Sequence, residues 1–306
     1  MFLMNCILCG NKDVDNIGKI DIGSLVKLYL KMTNIDFSYL FNENIKLMYN
    51  QCSKCGLKYF TPLIVGDEKF YNSFQEIDWY YMDEKEEYQY AKKFIKNNDK
   101  ILEVGCGKGA FARIVPTNCY IGLDPSEKAK KMASKNGVRI KNESIELHAQ
   151  NHQDYYDVVC SFQVLEHVPN PFSFLNSSIQ TLKKGGLLII AVPSEDSFLK
   201  YVANDILNMP PHHISRWSDD TLNYLTKIFN LELLEIYHEK IQKIHRKYFL
   251  TTLISNIFLT PKLVDLSIKR KIISKISSLL DIFVEKNFKK EFLPNGHTVI
   301  GVYRKF

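Results

Sequence analysis

The chain has 306 residues, 45% of them hydrophobic, 12% aromatic and 24% charged, with a formal net charge of +6. That composition supports a full-sized folded core and excludes a disordered tail, a fibre or a mini-protein. The charge is uneven: residues 239–306 carry 14 Lys/Arg against 5 Asp/Glu, a net +9, which leaves −3 for the first 238.

Of the 40 basic residues 34 are Lys and only 6 are Arg. Bidentate recognition of phosphate and guanine favours Arg, so nucleic-acid binding is disfavoured. The longest mostly apolar stretch, Phe249 to Leu259, is broken by Thr, Ser and Asn and falls short of the roughly 20 residues of a spanning helix. Met1 to Cys9 has neither the basic region nor the cleavage site of a secretion signal, so a cytoplasmic location is expected.

Cys6-Ile7-Leu8-Cys9-Gly10 and Cys52-Ser53-Lys54-Cys55-Gly56 each place two thiols two residues apart, followed by a glycine that lets the backbone fold over a metal. Such paired knuckles make a tetrahedral four-cysteine zinc site from Cys6, Cys9, Cys52 and Cys55, with no open position for a substrate, and hence a structural one. The 42 residues between the pairs exceed the usual ribbon spacing. The segment Asp21 to Tyr39, with Leu25, Leu28, Leu30 and Met32 at helical spacing, is therefore read as an excursion from a small zinc ribbon-like module over residues 1–60. Residues 61–98 form a connecting segment in which Glu86 to Lys96 reads as an amphipathic helix.

From residue 99 the pattern alternates. Lys100 to Val104, Tyr120 to Leu123, Val138 to Lys141, Asp157 to Ser161 and Leu187 to Val192 read as strands. Ala110 to Val115, Glu127 to Lys135 and Pro171 to Leu182 read as helices, with Pro116, Gly137 and Gly185-Gly186 as stop signals. The alternation predicts an α/β fold with a doubly wound, mostly parallel sheet that binds its ligand at the carboxyl ends of the strands. Asp219 to Phe229, capped by Ser218, reads as a further helix, and Leu231 to Tyr237 and His297 to Tyr303 add two strands. The basic, Ile/Leu-striped segment 240–290 between them is read as two or three helices inserted near the end of the domain 99–306. Its stripe suits helix packing or a dimer interface, and contact with an anionic membrane surface is the alternative.

Ile101-Leu102-Glu103-Val104-Gly105-Cys106-Gly107-Lys108-Gly109 runs a hydrophobic strand into a glycine turn. A Walker loop is excluded because Gly109, not Ser or Thr, follows Lys108, and a dinucleotide fingerprint is excluded by the spacing of the third glycine. The remaining pattern, G-x-G-x-G, resembles the first motif of the class I S-adenosylmethionine-dependent methyltransferases. The resemblance extends in order through Asp124-Pro125, which ends the second strand 19 residues after Gly105, Asn142 to Glu146, Tyr156 to Val168, and Leu182 to Gly186. It implies a Rossmann-like seven-stranded sheet that binds S-adenosylmethionine and releases S-adenosylhomocysteine. Asp124 supplies a carboxylate for the ribose hydroxyls, Glu103 is placed toward the cofactor's amino group, and Ile145 and Glu146 match the positions beside the adenine. Gly105, Cys106, Gly107, Gly109, Pro125 and Gln163 complete the cofactor set.

Methyl transfer from a sulfonium needs alignment, and a base only where the acceptor must lose a proton. The candidate catalytic residues are therefore His167, just beyond the fourth strand, and His212 and His213. These two lie in Pro210-Pro211-His212-His213-Ile214-Ser215-Arg216-Trp217-Ser218, a run that resembles methyltransferases acting on small molecules and cell-surface sugars. His212, His213, Arg216 and Trp217 are the candidate acceptor-binding residues. The resemblance favours O-methylation of a sugar, a nucleotide sugar or a phosphate-containing substituent in surface glycan synthesis. An amino-sugar N-methyltransferase, and an RNA or protein methyltransferase that grips its substrate with the zinc module and basic tail, remain open alternatives. The atom methylated and the oligomeric state are not legible in the sequence.

Overall fold

The computed structural model describes residues 5–42, 45–75, 85–285 and 294–306. Eleven strands are present among these: β1 (Val14–Ile20), β2 (Leu47–Cys52), β3 (Lys58–Thr61), β4 (Ile101–Val104), β5 (Tyr120–Leu123), β6 (Ile140–Lys141), β7 (Tyr156–Phe162), β8 (Leu182–Pro193), β9 (Ser215–Arg216), β10 (Leu231–Lys240) and β11 (Asn295–Lys305). Seven of them form one sheet in the order β10-β11-β8-β7-β4-β5-β6. β6, β5, β4, β7 and β8 run parallel, and β11 is antiparallel to both β8 and β10. The chain winds outward from β4 through β5 to β6, then crosses to the other side of β4 for β7 and β8. The strand order therefore reverses between β4 and β7, and the crevice at their carboxyl ends is where such a sheet takes a ligand.

The helices that carry their own start and stop chemistry form where the sequence places them. Glu127–Lys135 is capped by Ser126, whose side chain accepts from the Ala129 N–H, and Asp219–Phe229 by Ser218 accepting from Thr221, with Asn230 left-handed at its end. Pro171–Thr181 follows the Asn170 cap. Ala110 to Val115, read as a helix, is instead a single 3-10 turn at Phe111–Arg113. Gly109 breaks the backbone at φ +76 and Pro116 closes the other end, so no length remains for an α-helical ladder. Glu86 to Lys96 shortens to Glu86–Lys92 and unwinds through i→i+3 bonds from Phe94 and Ile95. Gly185-Gly186 does not close a helix into a loop. It lies inside β8, where the register against β7 slips between Tyr156/Leu182 and Val158/Leu187.

β1, β2, β3 and β9 form a second, antiparallel sheet. Three of its strands come from the N-terminal segment, and the fourth, β9, arrives some 150 residues later to pair Ser215 with Tyr59 and Arg216 with Lys58. Cys6, Leu8, Cys52, Cys55, Leu57 and Tyr59 pack in the same core as Leu102 and Tyr303 from the larger sheet, Trp217 just after β9 and Leu222 from the helix Asp219–Phe229. The excursion between the cysteine pairs becomes β1 and the helix Ile22–Thr33, capped by Asp21. The helix carries Tyr29 into an aromatic core with Phe37, Phe70 and Phe74, and the Tyr29 hydroxyl donates to the Ile206 carbonyl at 2.7 Å. Phe74 meets the ring of His212 at 5.3 Å, so this core floors the histidine-bearing segment.

The insertion between β10 and β11 folds as two helices, Lys243–Phe258 and Ile268–Glu285. Residues 286–290 of the segment read as helical, and 76–84 of the connecting segment, lie outside the described residues. Among the described residues no helix is long and apolar enough to cross a membrane.

Trp217 is the largest side chain sealed into the shared core, at 0% exposure, and its indole N–H donates to Ser215 Oγ at 3.0 Å. Trp217→Ala should lower unfolding stability by about 3–5 kcal/mol, the cost of an aromatic-sized cavity, read as a lower urea midpoint.

Candidate active site

The loop from β4 crosses the sheet's reversal point in a conformation open to glycine. Gly105 has φ +79, and a Cβ there would lie 2.3 Å from Val164 Cγ2. The N–H groups of Gly105 and Cys106 both donate to the Leu123 carbonyl, at 2.8 and 3.1 Å, which ties the loop to the end of β5. Asp124 follows immediately and is held at both oxygens: Oδ2 accepts from the Gly107 N–H at 2.8 Å and Oδ1 from the Ser126 N–H at 2.9 Å. Each carboxylate oxygen keeps a second lone pair for a ligand hydroxyl. Burial raises the Asp124 pKa, and the two backbone donors oppose that rise.

Gly105, Cys106, Gly107, Asp124, Pro125 and Gln163 line one cleft of about 890 Å³, a size that suits a ligand of drug-like or cofactor dimensions. Gly109 closes the turn behind them, its N–H donating to the Cys106 carbonyl at 2.9 Å. Glu103 sits beneath the loop, 1% exposed, with its carboxylate accepting from the Tyr120 hydroxyl. It is not among the residues that line the cleft. Nor are Ile145 and Glu146: Ile145 is buried in the main core, and Glu146 accepts from Ser173 Oγ at 3.3 Å.

The opposite wall is built from the turn after β7 and the segment after β8. Gln163 adopts φ +58 and donates its N–H to the Ala191 carbonyl at 2.9 Å, reversing the chain so that the 3-10 turn Leu165–His167 faces the cleft. His167 Nδ1 lies 2.6 Å from the His212 carbonyl, His212 Nδ1 lies 2.9 Å from the Leu207 carbonyl, and His213 Nδ1 lies 3.3 Å from Asn208 Oδ1. A carbonyl oxygen only accepts. Each Nδ1 therefore carries the proton, and each neutral ring keeps its lone pair on Nε2. Desolvation holds the rings neutral, pulling His167 down to about 4 and His212 and His213 well below the ordinary histidine value.

Between these rings sits Glu166, which the sequence reading passed over. It is 1% exposed, neither carboxylate oxygen has a hydrogen-bond partner, and burial raises its pKa to about 8. Its Oε1 lies 3.8 Å from His167 Nε2 and 3.7 Å from His213 Nε2. The only sequence signal was the acid and histidine side by side after a strand. Glu166, His167, His212 and His213 all line the same cleft as the glycine loop.

Arg216 and Trp217 point away from it. The Arg216 guanidinium donates twice to the Asn208 carbonyl, at 2.7 and 3.2 Å, lies 3.6 Å from the Glu195 carboxylate and faces the Tyr49 ring. It braces the residue that orients His213, while Trp217 lies inside the core. In the N-terminal module, Cys6 and Cys55 Sγ are 3.5 Å apart and Cys9 and Cys52 Sγ 3.6 Å, with all four thiols within 4.8 Å of one another. Gly10 and Gly56, at φ +71 and +76, close the two knuckles.

A family model for the methyltransferase domain matches residues 76–236. The chain is 38% identical over 95 residues to ubiquinone biosynthesis O-methyltransferases of Yersinia pestis (strain Pestoides F) and Yersinia pseudotuberculosis (serotype O:1b, strain IP 31758), a match covering 28% of this chain and 39% of each relative. The chain thus spans about two fifths of the length of these relatives. A crystal structure of an S-adenosylmethionine-dependent methyltransferase from Archaeoglobus fulgidus superposes with a TM-score of 0.52 at 15% identity, covering 77% of this chain and all of that one. That likeness is one of fold.

Burial raises Glu103 from the ordinary 4.5 to about 8. Between those values the native state keeps a proton that the unfolded chain has released, so stability falls as pH rises through this window and levels off above it. Glu103→Gln preserves the acceptor for Tyr120 and removes the titration. Its urea midpoint should fall less than the wild-type's between pH 5 and pH 8, and parallel declines would contradict the buried carboxyl.

Proposed function

The chain belongs to the S-adenosylmethionine-dependent methyltransferase-domain family, and from that premise we propose that it methylates an oxygen of a polyhydroxylated small molecule, a sugar or a glycan precursor. The observation that carries this reading is the cleft itself, with a doubly anchored carboxylate on one wall and three imidazole Nε2 lone pairs on the other. The cofactor supplies an electrophilic methyl carbon on a sulfonium, which leaves as a neutral thioether. Asp124 accepts from the ribose diol with the lone pairs that Gly107 and Ser126 leave available. Gly105, by lacking a side chain, lets Val164 close against the loop, and Gln163 and Pro125 wall the cleft.

An alcohol must lose its proton to react, whereas an amine reacts through its own lone pair, so a wall of neutral imidazoles favours an oxygen acceptor. The relatives named as O-methyltransferases support the same atom type. Asp67, Asn72 and Gln242 also line the cleft and offer hydrogen-bond partners to a polyol. We further propose that the four thiols hold one structural zinc. Zn–S bonds of about 2.3 Å set tetrahedral sulfurs about 3.8 Å apart, close to the two short Sγ separations of 3.5 and 3.6 Å. The module also joins the main core, so its ion acts on the fold.

Calorimetry with S-adenosylhomocysteine should show saturable binding that Asp124→Ala weakens at least about tenfold, as loss of a charged hydrogen-bond acceptor requires. Unchanged affinity would remove the ribose role. Incubating S-adenosylmethionine with candidate nucleotide sugars should give a product one methyl heavier. Transfer only to amines or to RNA would overturn the oxygen reading.

A thiol-directed mercurial should release one equivalent of zinc per chain and lower the melting temperature. A folded protein with no thiol-bound zinc would overturn the structural-ion reading.

A further inference from the structure

The carboxylate of Glu166 poses a problem in electrostatics. A buried carboxyl with no hydrogen-bond partner at either oxygen is costly to keep, yet this one sits between two imidazole nitrogens at 3.7 and 3.8 Å, beyond hydrogen-bond reach of both. The three histidines around it share one arrangement: each gives its Nδ1 proton to a carbonyl or amide oxygen and turns Nε2 the other way. That is the outer-shell pattern which fixes metal-binding imidazoles in their ligating tautomer. The ring centroids of His167, His212 and His213 lie 4.6 to 4.8 Å apart, and one ligand atom from each falls within 4.8 Å of the others. With metal–ligand bonds of about 2.0–2.2 Å, tetrahedral donors stand about 3.4 Å apart, a spacing the three rings approach.

We propose that His167, His212, His213 and Glu166 form a binding site for a first-row divalent metal ion, distinct from the four-thiol site and open to the acceptor side of the cleft. Three imidazoles and one carboxylate suit zinc, iron(II) or nickel(II) rather than magnesium or calcium, which prefer all-oxygen shells. The ion supplies the charge that the orphaned carboxylate lacks. Asn208, itself clamped by Arg216, is a positioning residue through His213.

The proposal rests on the O-methyltransferase reading for its consequence: the ion expands to five-coordinate, takes the acceptor hydroxyl as its fifth ligand and lowers its pKa. The O–H proton then leaves to water, the oxygen's electron pair forms the new O–C bond, and the C–S electrons remain on sulfur.

The test is addition of Co2+ to the full chain after mild chelation that leaves the thiol-bound zinc in place. The expected result is one further equivalent of Co2+ with visible d–d absorption and no near-ultraviolet thiolate charge-transfer band. Glu166→Gln and His213→Asn should abolish the uptake, and Asn208→Ala should weaken it by about 10- to 100-fold. Should a variant not fold, wild-type stoichiometry decides: no second equivalent overturns the site, as does a Co2+ spectrum with thiolate bands or uptake that folded variants retain. S-adenosylhomocysteine binding on the same samples separates the two readings. Methyl transfer to an alcohol without a second ion sinks this inference alone, whereas Co2+ uptake without nucleoside binding sinks the methyltransferase reading alone.

Discussion

Two loops meet where the large sheet reverses its order, and they meet because Gly105 carries no side chain. Val164, from the turn after β7, occupies the space a Cβ would take, at 2.3 Å from that position. With that contact made, the glycine-loop wall built on β4 and β5 and the histidine wall beyond β7 become two sides of one cleft. A larger residue at position 105 would push them apart and would also strain a backbone held at φ +79. Asp124 then works at the other edge of the loop, its two oxygens fixed by backbone N–H groups that a ligand need not displace.

The histidine wall depends on a second set of contacts that reach into the N-terminal segment. Ile214 donates its N–H to the Glu166 carbonyl at 3.0 Å, and its own carbonyl accepts from the Phe60 N–H at 3.0 Å. The next residues, Ser215 and Arg216, pair with β3. The segment that bears His212 and His213 is therefore stitched on one side to the turn carrying His167 and on the other to the sheet that carries the cysteine knuckles. The aromatic core of Tyr29, Phe37, Phe70 and Phe74 fills the space below.

Much of this was legible because it is written locally. The glycine turn, the acid at the end of β5, the Ser218 cap and the Gly137 stop are short-range signals, and the elements they govern form at or near the predicted bounds. The paired cysteines carry their spacing in the sequence, and they converge. What escaped is non-local. Nothing near Ser215 and Arg216 announces that a two-residue strand will complete a sheet begun at β1. The polar and aromatic character of Arg216 and Trp217 suggested a ligand, yet it serves Asn208 and the core. Glu166 read as part of a motif, and its significance lies in burial without a partner, which only tertiary structure reveals. Glu103, an acid entering a glycine loop, is claimed by Tyr120 from the neighbouring strand.

The late arrival of β9 gives the molecule an unusual dependence on its own beginning. Because Ser215 and Arg216 complete a sheet whose other three strands precede residue 62, the amino-terminal portion is scaffolding for the histidine wall and not an ornament appended to a finished fold. Transplanting the Rossmann portion alone into a chimera would carry the glycine hairpin and its aspartate intact and leave the imidazoles without their buttress.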